Sequence, residues 1–388
     1  MKKRLMSMLK SDLAKSGSII LLANFSSNLI LFFANLVIAN QLGVINFGIF
    51  KIIIYLFSFL PLLIELGINV SLTKYISELG SKNRKKISYL VNWFLKLKIF
   101  SYLVFILILF LLGEQISIVF LKDASLSYLI AAGILLSGLT FFVVFQFVVL
   151  GFQKFKLYAL SQFLNISGSA IIGVLLSPFG IFYIILGWSL GPLIGNLINM
   201  RFFFSKVVLK RTKSFDVKSK FLKFSIPVYL TNIITGLSTA IVPLLSLFFS
   251  QNKIGYFSFA FIFYSATLLI PLSLSMIVFP KVSELDGLKR YKDAKNILMK
   301  AFKLYAIVTI VGTIVVLLIS DLLFVTFFST YIKSLFMFKV LTIIGLIFGF
   351  NTIYVYYLQG LGKVKRFALF VLIQNILLIA ISFVLMSL

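Results

Sequence analysis

The sequence contains no cysteine and no histidine. The first absence excludes disulfides and thiol nucleophiles. The second removes imidazole bases and, together with the first, nearly every transition-metal ligand set. Acidic residues are scarce too, with ten Asp and Glu against 37 Lys and Arg, a formal charge of +27 over 388 residues. Charged residues of both signs reach only 12%, about half the ~25% share of a soluble domain. Such a chain has too little polar surface to cover a fold in water. It has apolar surface in excess: 61% of residues are hydrophobic and mean hydropathy is +1.11. Lipid is the solvent that accepts this composition.

The surplus of cations would suit nucleic acid if it were clustered on a soluble domain. Here the basic residues lie between long apolar runs, so they are read as determinants of membrane topology, with no nucleic-acid partner. The start, Met1 to Lys15, is basic and leads into an apolar run, as in a signal peptide. The run continues into Asn-rich sequence without a small-residue cleavage pattern, which predicts a retained first helix.

A helix satisfies its own backbone and needs about 20 apolar residues to cross a bilayer. Spans are predicted at 17–39, 47–72, 91–112, 126–150, 158–177, 181–203, 222–249, 256–280, 297–320, 334–358 and 367–387. With the N-terminus cytoplasmic, the basic residues of the inner segments number five before Leu21 and seven from Lys74 to Lys98. Lys154 and Lys156 follow, then eight from Arg201 to Lys223, seven from Lys281 to Lys303, and Lys363, Lys365 and Arg366. These make 32 of the 37; Lys51, Lys122, Lys253, Lys333 and Lys339 remain. This asymmetry predicts a multi-pass protein of a bacterial cytoplasmic (inner) membrane. External loops are short, the longest running from about Gly113 to Ser125.

The chain repeats itself. Asn46-Phe47-Gly48-Ile49-Phe50 aligns with Lys253-Ile254-Gly255-Tyr256-Phe257, and Lys74-Tyr75-Ile76-Ser77-Glu78-Leu79 with Lys281-Val282-Ser283-Glu284-Leu285. Residues 151–160 (GFQKFKLYAL) match 360–369 (GLGKVKRFAL). All three pairs are offset by about 207–209 residues. An even number of crossings between equivalent points gives two halves of the same orientation, a parallel repeat. The expected fold is an all-α polytopic membrane protein of about eleven helices in two lobes. The first lobe, 1–204, has six helices. A basic cytoplasmic linker, 205–221, precedes a five-helix lobe at 222–388. Leu388 aligns near residue 179, so the repeat implies a twelve-helix design with the twelfth helix missing.

These elements resemble the polysaccharide (O-antigen, Wzx-type) flippases of the MOP exporter superfamily. The matching features are the Asn/Ser-bearing first helix, Leu42-Gly43-Val44-Ile45-Asn46-Phe47-Gly48, Ile64-Glu65-Leu66-Gly67-Ile68 and Lys74-Tyr75-Ile76-Ser77-Glu78. The second half adds Ile254-Gly255-Tyr256-Phe257 and Phe279-Pro280-Lys281-Val282-Ser283-Glu284. The resemblance implies a flippase that moves an undecaprenyl-pyrophosphate-linked oligosaccharide from the cytoplasmic to the external leaflet by alternating access. Its partners would be membrane lipid, the lipid-linked oligosaccharide and, as a further candidate, the polysaccharide polymerase machinery. It implies no enzyme activity, cofactor or metal.

Moving a charged, sugar-bearing headgroup across ~30 Å of hydrocarbon requires a polar path, so intramembrane polar residues are the candidates. Asn24, Asn28 and Asn35 are spaced to share one face of the first helix. Thr231, Asn232, Thr235, Ser238 and Thr239 occupy the equivalent helix of the second half. Both sets are candidate cavity linings, or alternatively packing contacts between helices. Lys51 and Lys339 are candidate phosphate anchors or snorkelling cations. Glu65 is the acidic residue best placed inside an apolar span, a candidate for ion coupling, gating or a structural role. Pro227, Pro243, Pro271 and Pro280 would kink the seventh and eighth helices. The alternative function is a cation-coupled multidrug or metabolite exporter. A membrane enzyme fits poorly, since the external loops offer Glu114, Asp123 and little else.

Overall fold

A computed structural model describes residues 2–65, 67–79, 84–122, 126–207 and 218–388. Asp123 and the centre of the predicted basic linker lie outside the described residues, as does the side chain of Pro227. Among the described residues, twelve α-helices run in order: α1 (Lys2–Glu65), α2 (Ile68–Leu79), α3 (Arg84–Ile116), α4 (Leu126–Gly151), α5 (Phe155–Leu176), α6 (Ile181–Lys206), α7 (Lys218–Ser246), α8 (Gln251–Thr267), α9 (Leu269–Gly287), α10 (Tyr291–Phe327), α11 (Leu335–Gly360) and α12 (Val364–Ser387). There is no strand among the described residues.

Ten segments among the described residues are long and apolar enough to cross a membrane. The difference from the predicted eleven lies in α1, whose 64 residues contain the first predicted span and most of the second. At 1.5 Å per residue that length far exceeds a ~30 Å hydrocarbon core. The helix is broken midway at Gly43, where φ is +70°, a conformation costly to any residue with a Cβ. The second predicted span, 47–72, is interrupted once more, at residues 66–67, where Gly67 has φ +68°. The predicted span 256–280 is likewise two helices, divided at Leu268. Pro271 lacks the N–H that would have continued the ladder across that point. The predicted loop from Gly113 is helical through Ile116 and continues as a π-turn over Ser117–Leu121.

By proximity the chain forms two compact units, one of Met1–Ala34 with Ile52–Ala240, the other of Asn35–Lys51 with Ile241–Leu388. In the first unit, α6 carries Gly187, Gly191 and Gly195 at four-residue steps. A Cβ on Gly187 would lie 3.0 Å from the Ile172 carbonyl of α5, and one on Gly195 3.1 Å from that of Ser161. Small residues at this spacing let helix backbones approach in lipid, where packing rather than hydrophobicity joins helices. A core of Leu72, Ile76, Ile87, Val91, Phe94, Val144 and Val148 joins α2, α3 and α4. In the second unit Val282, Ala294, Leu298, Ala301, Tyr305 and Ile353 join α9, α10 and α11 in the same manner.

The repeat recurs in detail. At the end of α4, Phe152, Gln153 and Lys154 donate to the carbonyls of Val148, Leu150 and Val149. At the end of α11, 209 residues on, Leu361, Gly362 and Lys363 donate to Tyr357, Gln359 and Leu358. Gln153 and Gly362 both take positive φ, 57° and 68°. Just before each turn a glycine admits a neighbouring helix: Gly151 faces Ile76 of α2, and Gly360 faces Val282 of α9.

Candidate functional site

The candidate residues fall into separate groups. In the first unit, Asn24 and Asn28 are half-buried on α1, and the Asn28 amide donates to the Asn24 carbonyl at 2.7 Å. On α7, Asn232 is half-buried and Thr235 exposed. The Thr235 hydroxyl donates to the Asn232 carbonyl at 2.9 Å, and Ser238 to the Thr235 carbonyl at 3.2 Å. Donation back to the preceding turn is how a polar side chain lowers its cost in an apolar setting.

Asn35 stands apart from Asn24 and Asn28, because it belongs to the second unit. Its side-chain oxygen accepts a hydrogen bond from the Lys51 ammonium at 2.6 Å. Lys51 is only 5% exposed. Its ammonium also lies 5.2 Å from the ring centre of Phe47 and 5.7 Å from that of Phe50. A buried cation needs such compensation, and the two arms of α1 on either side of Gly43 supply it. Lys339 of α11 is paired as well, bonding both carboxylate oxygens of Asp321 on α10 at 2.8 and 3.0 Å.

Glu65 lies at the last position of α1, directly before the break at Gly67, and is 7% exposed. Asn69, one turn on in α2, donates to its carboxylate. Lys98 of α3 is also buried, 2% exposed, and lies near enough to Glu65 for the two charges to influence each other. Around the same break, Ser71 and Ser225 of α7 share a hydrogen bond at 2.7 Å, and the Tyr229 hydroxyl donates to the Leu63 carbonyl at 3.0 Å. Gly67 admits the α7 backbone, since a Cβ there would lie 2.6 Å from the Tyr229 nitrogen. The cluster thus joins an interrupted helix, a buried acid, a buried base and the first helix of the second half. The side-chain oxygen of Asn69 is buried with no partner.

Sequence reasoning singled out Glu65 and missed Lys98, which it placed with the cytoplasmic cations. The available signal was register: Lys98 follows Ile87, Val91 and Phe94 on one helical face, and that face is core. It also missed Asp321 as the partner of Lys339.

Comparison with known proteins fits this architecture. The family described as "Polysaccharide biosynthesis protein" matches residues 13–286. A search of curated proteins finds no match. Among solved structures, an inward-facing multidrug resistance MATE family transporter of the MOP superfamily aligns with a TM-score of 0.72 at 13% identity, covering 93% of this chain and 94% of the other. The lipid II flippase MurJ in an inward closed conformation aligns with 0.71 at 16% identity, covering 95% and 86%. An outward-facing MATE transporter aligns with 0.63 at 14% identity, covering 96% and 94%. At such identities the likeness is one of fold. The match to residues 13–286 covers most of the chain, and the protein belongs to the polysaccharide biosynthesis protein family.

Proposed function

We propose that this protein flips an undecaprenyl-pyrophosphate-linked oligosaccharide across the cytoplasmic membrane of a bacterium, from the inner to the outer leaflet, for surface polysaccharide such as O-antigen or capsule. The observation that carries this reading is the coincidence of a polysaccharide-biosynthesis family match with a fold shared by a lipid II flippase. Its physical support is a polytopic bundle with polar residues along α1 and α7 and a break at Gly67 between α1 and α2. The two lobes, 1–204 and 222–388, would alternate access, with the N-terminus and the basic linker 205–221 on the cytoplasmic side. Asn24, Asn28, Asn232 and Thr235 are proposed to line the path. Glu65 is proposed to couple or gate movement, with the hydrogen bond from Asn69 and the nearby buried Lys98 as its surroundings. Lys51 and Lys339 serve better as paired structural cations than as phosphate anchors, given Asn35 and Asp321. The protein acts as a transporter, not an enzyme, and a polysaccharide polymerase would receive its product.

The test is restoration of surface polysaccharide in a strain whose own flippase is deleted and which makes the matching lipid-linked unit. Restoration is expected. Its failure with a membrane-inserted, full-length protein would overturn the reading.

The shared fold with MATE transporters and the buried acid at residue 65 favour a second reading, a cation-coupled exporter of drugs or metabolites. Efflux of a cationic dye that collapses with the ion gradient, without restored polysaccharide, would establish it instead.

A further inference from the structure

Three buried polar side chains meet one layer beyond the core that joins α2 to α3. In that core Leu72 and Ile76 of α2 pack with Ile87, Val91 and Phe94 of α3. Asn69 stands one turn before Leu72 on the same helical face, and Lys98 one turn after Phe94. The connection from Leu79 to Arg84 is short, so the two helices run in opposite directions. A step back along α2 and a step forward along α3 therefore reach the same level. Glu65 lies one turn before Asn69 and accepts its amide. All three belong to the first unit and are buried.

Their hydrogen bonds do not close among themselves. An ammonium carries three donors. Among the described residues Lys98 has no hydrogen-bond acceptor and no ion pair, and its ammonium lies 5.5 Å from the ring centre of Phe94. Glu65 is near enough to feel its charge but is not in ion-pair contact with it. The Asn69 oxygen is buried with no donor. Polar groups left unpaired in an apolar interior are costly. The equivalent positions of the second half, Leu272, Met276 and Tyr305, carry one polar group between them. That hydroxyl donates to the Leu346 carbonyl. The open hydrogen bonds thus belong to the first half of the repeat.

We infer that Glu65, Asn69 and Lys98 bind an ordered water that bridges the acid to the base. The three groups select the occupant. It must accept from the ammonium and donate to the amide oxygen and the carboxylate. A metal cation would bond both oxygens but would face the ammonium. An anion would bond the ammonium but would face the carboxylate. A small neutral molecule that accepts and donates satisfies all three, and three polar partners are typical of a buried water. The bridge deepens the reading of Glu65 given above without depending on the cargo. Lys98 neutralises the carboxylate through an exchangeable molecule, and no free cation is needed there.

Water itself is the probe. An X-ray pulse makes hydroxyl radicals from water in place, so a buried ring is oxidised where water is bound beside it. Phe94 is 1% exposed and adjoins Lys98, whereas Phe203 is fully buried elsewhere in the same core. In the purified full-length protein Phe94 should be oxidised several-fold faster than Phe203. Lys98→Met combined with Glu65→Gln should bring Phe94 down to the rate of Phe203. Asn69→Leu, which keeps both charges, should lower it in part. Replacing sodium with choline in the buffer should leave the parent rate unchanged. Equal rates at Phe94 and Phe203 in the parent overturn the bridge, whether or not the variants fold. A fast rate at Phe94 that survives the double variant overturns it as well, since other groups then hold the water. A rate that changes with sodium overturns it by making a cation the occupant. Slow oxidation of Phe94 in a protein that restores surface polysaccharide overturns the bridge alone. The expected pattern in a protein that restores none supports the bridge and overturns the cargo.

Discussion

Lys98 and Tyr305 fill the same position in the two cores of the repeat, 207 residues apart. The alignment extends along each helix: Ile87, Val91 and Phe94 precede Lys98 in α3 as Ala294, Leu298 and Ala301 precede Tyr305 in α10. In the second half the position is neutral, and the Tyr305 hydroxyl donates to the Leu346 carbonyl at 3.0 Å. In the first half it is a basic residue, and the buried acid near it is Glu65, whose own repeat partner is Leu272. The two halves therefore solve one packing problem differently, and among the described residues the first carries a buried acid and base at a helix break.

The two charges should depend on each other. Removing one partner strands the other in an apolar interior, at a cost of about 3–5 kcal/mol. Lys98→Met and Glu65→Gln are each expected to lower the thermal midpoint of the detergent-purified protein. The double variant should recover much of the loss, a strong non-additivity. Simple addition of the two losses would show that the residues act independently.

The fold was largely legible in the sequence because its strongest signals are long apolar runs and a repeat. Both survive into the structure, down to the twin turns at 151–154 and 360–363. The breaks were less legible. Residues 47–72 read as one span despite Lys51, Glu65 and Asn69, and Gly67 is the residue that hints that the helix stops there. What ends it is tertiary, the approach of the α7 backbone at Tyr229. The site was legible by residue type but not by grouping. Asn24, Asn28 and Asn35 share a helical period, yet the Gly43 break and the Lys51 pairing assign Asn35 to different surroundings. Lys98 was hidden by its position in a basic stretch, where a counting rule treats every lysine alike.

Glycines at close approaches should be far less replaceable than glycines in open positions. Gly67→Ala combines a positive φ with a clash against the α7 backbone, and a loss of at least about 2 kcal/mol is expected. Gly151→Ala and Gly360→Ala should each destabilise by about 1–3 kcal/mol through overpacking against Ile76 and Val282. Gly312→Ala should be neutral or slightly stabilising, since alanine favours a helix. Thermal unfolding of the four variants checks the order, and equal effects across all four would contradict the close packing described.

The exposed pair of Lys339 and Asp321 should contribute little to stability, as screened ion pairs do. Lys339→Ala and Asp321→Asn are therefore expected to unfold close to the parent. Transport distinguishes pairing from anchoring. If Lys339 merely neutralises Asp321, both variants should transport alike. A transport defect confined to Lys339→Ala would mean that the lysine acts on the cargo.

Orientation can be tested without any knowledge of cargo. The proposed arrangement has an odd number of crossings, with basic segments on the side of the N-terminus. A reporter joined after Ser387 should therefore lie outside the cell, and one inserted in the turn at Lys363 should lie inside. Alkaline phosphatase, active only outside, is expected to be active in the first fusion and silent in the second. A fluorescent protein that matures only inside should show the reverse. Because Lys363 and Ser387 bracket the single helix α12, matching signals from both positions would mean that α12 does not cross. Inverted signals would place the basic segments outside and overturn the orientation on which the direction of transport depends.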